Sequence, residues 1–167
     1  TLSGIITSAT LSEINNDGAG LLTIGTAGFT NTGGIIFGIN GTGNIAVSSA
    51  ISGNGALTKD GTGTGMLILG GANSYAGATT ISTGVVQVTN ATALGNTTGA
   101  TTIANGAALE INGAITIAEA MTINGTGLAA TPGVIRLISG SGAATLSGAI
   151  TVATASRINS DAATNAL

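Results

Sequence analysis

Two stretches of the chain decide the fold: GATTISTG at residues 77–84 and GATTIANG at residues 99–106. Six of their eight positions are identical, and the two starting points, residues 77 and 99, define a 22-residue repeat. A repeat of about 20 to 50 residues is typical of solenoids, in which each coil of the backbone lies on the coil before it. The repeat therefore predicts that equivalent residues, such as Ile81 and Ile103, lie against each other in parallel strands about 4.8 Å apart.

The rest of the chain consists of short runs rich in β-branched residues, separated by Gly, Asn, Ser and Thr. Such runs favour strands over helices. The predicted strands are residues 21–24, 34–37, 44–47, 56–59, 66–69, 79–81, 85–88, 101–103, 109–111, 115–117, 121–123, 134–138, 144–146, 150–152 and 156–158. A second echo, GAITI at 113–117 and GAITV at 148–152, has a longer spacing and predicts a coil with a longer loop.

Two architectures use short strands with glycine turns. In a β-sandwich the Asn-Gly pairs of the chain would be hairpin turns, whereas in a solenoid they would be corners. Only the solenoid explains why an eight-residue segment recurs in the same direction. We therefore predict an all-β fold, a right-handed parallel β-helix of about 6–7 coils, with residues 1–167 as a single segment. Because the sequence starts at Thr1 and not at Met, we expect it to be part of a longer protein.

The same stacking makes predictions for small and polar residues. We expect Ala78 and Ala100 to lie in the interior, where small side chains beside the isoleucines would close a thin cross-section. Asn90 and Asn112 are also related by the 22-residue repeat. Two hypotheses remain open for them: an amide ladder along the stack, or asparagines that tolerate left-handed corners.

The composition argues against several classes of function. The chain has 3 Lys and Arg, 6 Asp and Glu, no His and no Cys, and a net charge of −3. It therefore cannot form a Ser-His or Cys-His pair, a disulfide, or a zinc site of His and Cys. Three cations make no basic stripe for nucleic acid, and the apolar runs are too short for a membrane helix. We expect no enzyme, no catalytic residue, no cofactor and no metal site.

Few residues are candidates for chemistry. Lys59 and Asp60 could form a dyad or an ion-binding turn, but we expect an exposed corner pair. Glu110 and Glu119 could face each other as a glycosidase pair; we expect a solvated strand face instead, with Glu110 pointing outward. Asp17 is a weak calcium candidate, because no second coil mirrors it.

Three further features have a structural interpretation. Residues 61–65 (GTGTG) lack the Lys-Ser/Thr ending of a phosphate loop, so we expect a turn. We expect Tyr75 to pack its ring on a coil edge with its hydroxyl in water. The threonines at 79–80 and 101–102 raise the hypothesis of an ice-binding surface, but only one of each pair can share a face, and the sequence predicts no ladder sustained across the chain.

A longer pattern covers residues 53–95. It reads G-x-L-T-K-x-G-x-G at 55–63, L-x-L-x-G-A-N-x-Y-x-G-x-T-T-I-x-x-G-x-V-x-V at 67–88, and A-L-G at 93–95. This pattern resembles the autotransporter-associated β-strand repeat of large Gram-negative surface proteins. The turn at 64–66 is about two residues longer than in the family pattern, which leaves the local register open.

The resemblance implies a right-handed β-helix in an exported passenger, longer than this segment, that crosses the outer membrane through a C-terminal barrel. It implies a segment that folds outside the cell and acts as a stalk, and the motif carries no catalytic residue. We therefore expect a non-enzymatic structural segment, secreted or at the cell surface, that belongs to an adhesin or stacks end to end into a filament. The alternatives are a glycan-binding or glycan-cleaving β-helix and, less favoured, an ice-binding solenoid. The expected partners are a second copy, a host surface or a glycan; we expect no nucleic acid, and we expect that the segment itself does not span a membrane.

Overall fold

The computed structural model describes residues 1–2, 4–25, 28–138 and 142–161. Within these ranges the chain forms short strands and no helix. In chain order the strands are β1 (Ile6–Ser8), β2 (Ser12–Asn16), β3 (Leu22–Ile24), β4 (Phe29–Asn31), β5 (Ile35–Ile39), β6 (Ile45–Val47), β7 (Ile51–Ser52), β8 (Leu57–Asp60), β9 (Met66–Leu69), β10 (Thr79–Ile81), β11 (Gly84–Val88), β12 (Thr101–Ile103), β13 (Ala107–Ile111), β14 (Thr116–Ile117), β15 (Met121–Ile123), β16 (Ile135–Leu137), β17 (Thr145–Leu146), β18 (Ile150–Val152) and β19 (Ile158–Ser160). No helix long and apolar enough to cross a membrane occurs in this part of the chain.

The strands form parallel sheets that run along the molecule. Sheet I has seven strands, β2, β5, β8, β10, β12, β15 and β18, and sheet II has seven, β3, β6, β9, β11, β13, β16 and β19. Each coil contributes one strand to each of these sheets, so the fold is a β-solenoid of about seven turns. A third side carries β1, β4 and β7 at one end of the stack and β14 with β17 towards the other. The predicted all-β solenoid is confirmed.

The register between several neighbouring coils follows the 22-residue repeat, whereas other coils differ in length: Met66 pairs with Val85, and Met121 with Ile150. Thr79 pairs with Thr101 and Ile81 with Ile103, as predicted. The same step relates Gly38 to Asp60 in sheet I and Ile45 to Leu67 in sheet II. The number of residues between paired positions is therefore the same before and after the turn that contains residues 64–66. This turn does not shift the register.

The interior consists of columns of side chains, one from each coil. Alternation along a strand points every second residue inward. Sheet I contributes two columns: Ile35, Leu57, Thr79, Thr101 and Met121, and then Phe37, Lys59, Ile81, Ile103 and Ile123. Sheet II contributes aliphatic columns that include Leu67, Val86, Leu109 and Ile135. Each fully buried aliphatic side chain stabilises the fold by about 1.5–3 kcal/mol.

Glycines form close-packed columns at the corner between sheets I and II. A Cβ added to Gly63 would lie under 3.0 Å from the Gly41 carbonyl oxygen, and one on Gly41 would lie equally close to the Gly18 carbonyl oxygen. Only glycine leaves room for coils at this separation. Residues 61–65 form the predicted turn, and its glycines are needed for the stacking of coils as well as for the bend.

The echo between residues 113–117 and 148–152 does not describe the stacking. Thr116 pairs with Thr145 and Met121 with Ile150, so the step between these coils is longer than the regular repeat but shorter than the echo. The two GAIT segments lie on different sides of the solenoid, since β14 belongs to the third side and β18 to sheet I. The prediction of a longer coil is confirmed, but the predicted pairing is wrong.

Both hypotheses for Asn90 and Asn112 are wrong. Asn90 accepts hydrogen bonds from Thr92, while Asn112 donates to Gln87 Oε1 at 3.4 Å, so the two amides form no ladder. No described residue other than glycine has a positive φ. Other asparagines link neighbouring coils: Asn73, for example, accepts from the Ile51 N–H at 2.8 Å and donates to the Ala93 carbonyl at 2.5 Å.

Candidate functional site

The outer surface of sheet I carries a regular face, which we call the Ala-Thr face. Its threonines are paired in register from coil to coil: Thr58, Thr80, Thr102, Thr122 and Thr151. Beside them runs a file of alanines, whose carbonyls accept a hydrogen bond from the neighbouring coil: Ala56, Ala78, Ala100, Ala120 and Ala149. The face is therefore uniform over five coils.

This face bears on two predictions. The threonine ladder covers five of the seven strands of sheet I, because β15 and β18 also place a threonine at the shared position, but Glu13 and Ile36 occupy that position in β2 and β5, so the ladder is not sustained across the chain, as predicted. Ala78 and Ala100 lie on the exposed surface and not in the interior. The reason is the alternation of the strand: the inward positions next to these alanines belong to Thr79 and Thr101, which are fully buried.

Lys59 is buried inside the solenoid, so the predicted exposed corner pair is wrong for this residue. Its side chain lies in the interior column between Phe37 and Ile81 and is 0% exposed. The ammonium Nζ donates to the backbone carbonyls of Asp60 at 2.8 Å and Thr83 at 3.5 Å. Asp60 itself is exposed.

The turn after β10 makes room for this ammonium. Gly84 has φ +67°, and a Cβ at this position would lie 3.2 Å from Lys59 Nζ. Burial lowers the pKa of Lys59, and the Asp60 carboxylate partly opposes that change. The signal for burial was present in the sequence: Lys59 is two residues from Leu57, so a strand that buries Leu57 also buries Lys59.

A second polar group lies in the interior and consists of Tyr75, Thr79, Thr101 and Glu119; we call it the polar cluster. Tyr75 is 0% exposed, and its hydroxyl lies 2.7 Å from Thr79 Oγ1. The prediction that this hydroxyl reaches water is therefore wrong. Thr79 also donates to the Leu94 carbonyl at 3.3 Å, and burial raises the pKa of Tyr75.

Glu119 ends the polar cluster and lines a pocket. It is 4% exposed, and Oε1 accepts a hydrogen bond from Thr101 Oγ1 at 3.4 Å. Burial raises the pKa of Glu119 to about 7, although the Thr101 hydroxyl acts in the opposite direction. The pocket has a volume of about 320 Å³, and its other walls come from residues 91–97 and 116–118.

Glu110 belongs to a different site. It lies on the outer surface of sheet II, as predicted, but is only 8% exposed and forms a salt bridge with Arg136, which also pairs with Asp161. Gln87 Nε2 donates to Glu110 Oε2 at 3.3 Å. Glu110 thus faces outward while Glu119 belongs to the interior cluster, and the structure does not bring them together as a carboxylate pair.

The calcium candidate Asp17 is exposed and accepts a hydrogen bond from Asn40 Nδ2 at 2.9 Å. Among the residues that the structure describes, no group of three or more His, Cys, Asp and Glu could hold a metal ion. Sequence reasoning missed the inward placement of Lys59 and Glu119 and the salt bridges of Arg136. The salt bridges join residues 25 or more positions apart, for which a single sequence holds no signal.

Comparison with known proteins gives one result. Residues 57–88 match the family model of the passenger-associated-transport-repeat. No curated protein and no solved structure matches the chain. The matched residues run from the start of β8 to the end of β11 and include Lys59, Tyr75 and Thr79.

The match and the fold agree in position. The matched residues supply two successive strands to sheet I and two to sheet II, and the coils on both sides continue their register. The solenoid and the repeat together fit a passenger segment of an autotransporter. Residues 57–88 of this chain are a passenger-associated-transport-repeat, the type of repeat found in autotransporters.

Proposed function

We propose that this chain is a rigid, non-enzymatic stalk segment in the passenger of an exported bacterial surface protein. The observation that carries the proposal is the position of the matched repeat, residues 57–88, in the middle of a continuous solenoid. The residues of the matched repeat form strands that pair with the neighbouring coils. We infer that the repeat contributes to the rigidity of the rod.

The geometry supports stiffness along the rod. Backbone hydrogen bonds link each coil to the next, and about seven coils at ~4.8 Å each give a length of roughly 34 Å. The corner glycines let neighbouring coils pack closely, because their neighbours leave no space for a Cβ. We infer that the segment holds the other parts of its parent protein away from the cell surface.

The proposal also includes export coupled to folding outside the cell. A solenoid forms coil by coil, so each emerging coil can add to the one already folded. To test this, the chain is displayed from a bacterial outer membrane by a translocator barrel, and surface exposure is measured with a protease-sensitive epitope. We expect Gly63→Ala to reduce surface display several-fold, because its Cβ would clash with the Gly41 carbonyl.

Gly20→Ala is the matched control, because a Cβ at Gly20 meets no atom within 4 Å. It should be displayed like the unchanged chain. If Gly63→Ala unfolds in vitro and is still displayed normally, folding of this segment does not assist export, and this part of the proposal fails.

A finer proposal concerns association of the isolated segment. Large apolar side chains are exposed at both ends of the stack: Leu11 is 69% exposed, Leu21 61% and Val152 60%. Within the described residues β2 and β18 each pair with a single strand, and such strand edges can pair with further strands. We expect copies of the segment to associate end to end, which sedimentation velocity over a range of concentrations measures.

Val152→Asp should abolish this association, because a charge would enter the apolar end surface. Thr151→Asp is the control, since Thr151 lies on the same strand but faces outward. A chain that stays monomeric at all concentrations contradicts end-to-end stacking and leaves the stalk proposal intact.

A second candidate function is ice binding by the Ala-Thr face, which its uniformity over five coils favours. Measurement of thermal hysteresis tests it. Thr102→Glu would remove any activity, because it places a charge in the centre of the face, whereas Thr7→Glu on β1 would not. Absence of thermal hysteresis in the unchanged chain excludes this function.

A further inference from the structure

The pocket beside Glu119 has the form of a ligand site. Its volume of about 320 Å³ lies at the lower end of the range for small-molecule pockets. Leu94, 3% exposed, and Glu119, 4% exposed, form its buried floor. The rim comes from residues 91, 92 and 95–97 in the loop after β11 and from residues 116 and 118, in and directly after β14.

The floor combines one carboxyl group with apolar carbon, and within the described residues no cation forms a salt bridge with this carboxyl. The salt bridges of the described residues join Arg136 to Glu110 and to Asp161, and none of them reaches Glu119. The ammonium of Lys59 is engaged with the carbonyls of Asp60 and Thr83. Tyr75 interacts electrostatically with Glu119 and is neutral near pH 7, because the ordinary pKa of tyrosine is about 10 and burial raises the pKa of Tyr75 further.

The lining also sets the class of ligand. A single carboxylate provides fewer ligands than a divalent metal ion requires, so a metal is a poor fit. Leu94, Ala91 and Ala118 offer methyl groups to an alkyl chain. The hydroxyls of Thr97 and Thr116 make no hydrogen bond within the described residues and can accept one from a bound N–H.

We propose that this pocket, the Glu119 pocket, binds a small organic cation: a primary ammonium group on a short alkyl chain. The ammonium binds the Glu119 carboxylate at the floor, and the alkyl chain packs between Leu94 and the two alanines. The bound ammonium supplies the positive charge that the Glu119 carboxylate lacks. The ion pair is strengthened in a partly buried pocket, because solvent and salt screen it less there than in water. This inference is independent of the proposed stalk function.

The probe is butylammonium, compared with its neutral analogue butan-1-ol. Backbone amide shifts are followed by NMR during titration in phosphate buffer at about pH 8. We expect saturable shifts at Leu94, Asn96 and Ala118 with butylammonium, and binding of butan-1-ol that is weaker by about fivefold or more. Equal binding of the two compounds, or no saturable shift with butylammonium, overturns the proposal.

The pH dependence gives a second readout. Because burial raises the pKa of Glu119 to about 7, the carboxyl is mostly ionised at about pH 8 and mostly protonated at about pH 6. The affinity for butylammonium should therefore fall by about tenfold between these two values. An affinity that does not change over this range contradicts a role for the Glu119 carboxylate.

Two variants and one control complete the test. Glu119→Gln keeps the shape and removes the charge, so binding should be lost. Glu13→Gln removes one carboxylate from an exposed position and should bind like the unchanged chain. Ala91→Leu narrows the pocket without touching Glu119, so it tests the same site even if Glu119→Gln does not fold. Retained binding in a folded Glu119→Gln or in Ala91→Leu overturns the assignment.

Discussion

The solenoid buries an ionisable side chain in two regions, around Lys59 and around Glu119, and the two regions treat the charge differently. The Lys59 ammonium donates to the carbonyl of Asp60, the next residue in β8, and to that of Thr83 in the short turn before Gly84. The Glu119 carboxyl accepts one hydrogen bond, from the Thr101 hydroxyl, and lines a pocket. Near Lys59, a short corner places backbone acceptors next to the buried charge. Near Glu119, the longer loop at residues 91–97 provides no backbone partner, so the carboxylate interacts with a side-chain hydroxyl and with whatever fills the pocket.

Among the variants that test this comparison, truncation of Lys59 should cause the largest loss of stability. Lys59→Ala removes a fully buried side chain and leaves a cavity in the column between Phe37 and Ile81. We expect a loss of about 2–4 kcal/mol in the free energy of unfolding, measured by urea denaturation. Lys59→Met keeps the length without the charge and should stay within about 1.5 kcal/mol of the unchanged chain. Equal losses in both variants would mean that the ammonium, and not the packing, stabilises this region.

The pH dependence of stability should single out the Glu119 region. The pKa of Glu119 rises from 4.5 to about 7 on folding, so the folded chain holds a proton that the unfolded chain releases between these values. The free energy of unfolding should therefore fall as the pH rises from about 4.5 to 7 and level off above. We expect a change of about 1–2 kcal/mol, less than the full shift would give, because the open pocket screens the charge.

Urea denaturation of the unchanged chain and of Glu119→Gln at several pH values measures this slope. The variant should lose it, while Glu13→Gln keeps it. A slope that survives in Glu119→Gln would assign the proton to another carboxyl.

Removal of the Tyr75 hydroxyl tests the other end of the polar cluster. Tyr75→Phe deletes the contact of 2.7 Å with Thr79 Oγ1 and keeps the ring in place. Thr79 retains the Leu94 carbonyl as acceptor, so we expect a loss of only about 1 kcal/mol in urea denaturation. A stability equal to that of the unchanged chain would show that the hydroxyl makes no net contribution inside the solenoid.

The smallest effect is expected from Thr101→Val. This variant removes the hydroxyl that donates to Glu119 Oε1 at 3.4 Å, a long hydrogen bond. Stability should change by about 0.5 kcal/mol, and the pKa of Glu119 should rise further, because this hydrogen bond favours the charged form. Carboxyl titration by NMR measures the shift, and a lower pKa in Thr101→Val would contradict the hydrogen bond.

Prediction from sequence succeeded for strands of the regular repeat and for some strands outside it. The strands predicted at 66–69, 79–81 and 101–103 agree with β9, β10 and β12, and those predicted at 121–123 and 150–152 agree with β15 and β18. Four strands were missed at the N-terminal end, namely β1, β2, β4 and β7. Their residues include many Ser, Thr and Asn, which favour turns as well as strands, and their pairing in register with the next coil outweighs that local preference.

The sequence by itself determined the length of the regular coils, the parallel stacking and the alternation of inward and outward residues. These follow from the 22-residue repeat and from the two-residue period of a strand. Only the tertiary structure decided the environments of Lys59, Tyr75 and Glu119. The partners of a buried group in a solenoid lie in neighbouring coils, far from it in sequence, and they meet it only after the chain has wound.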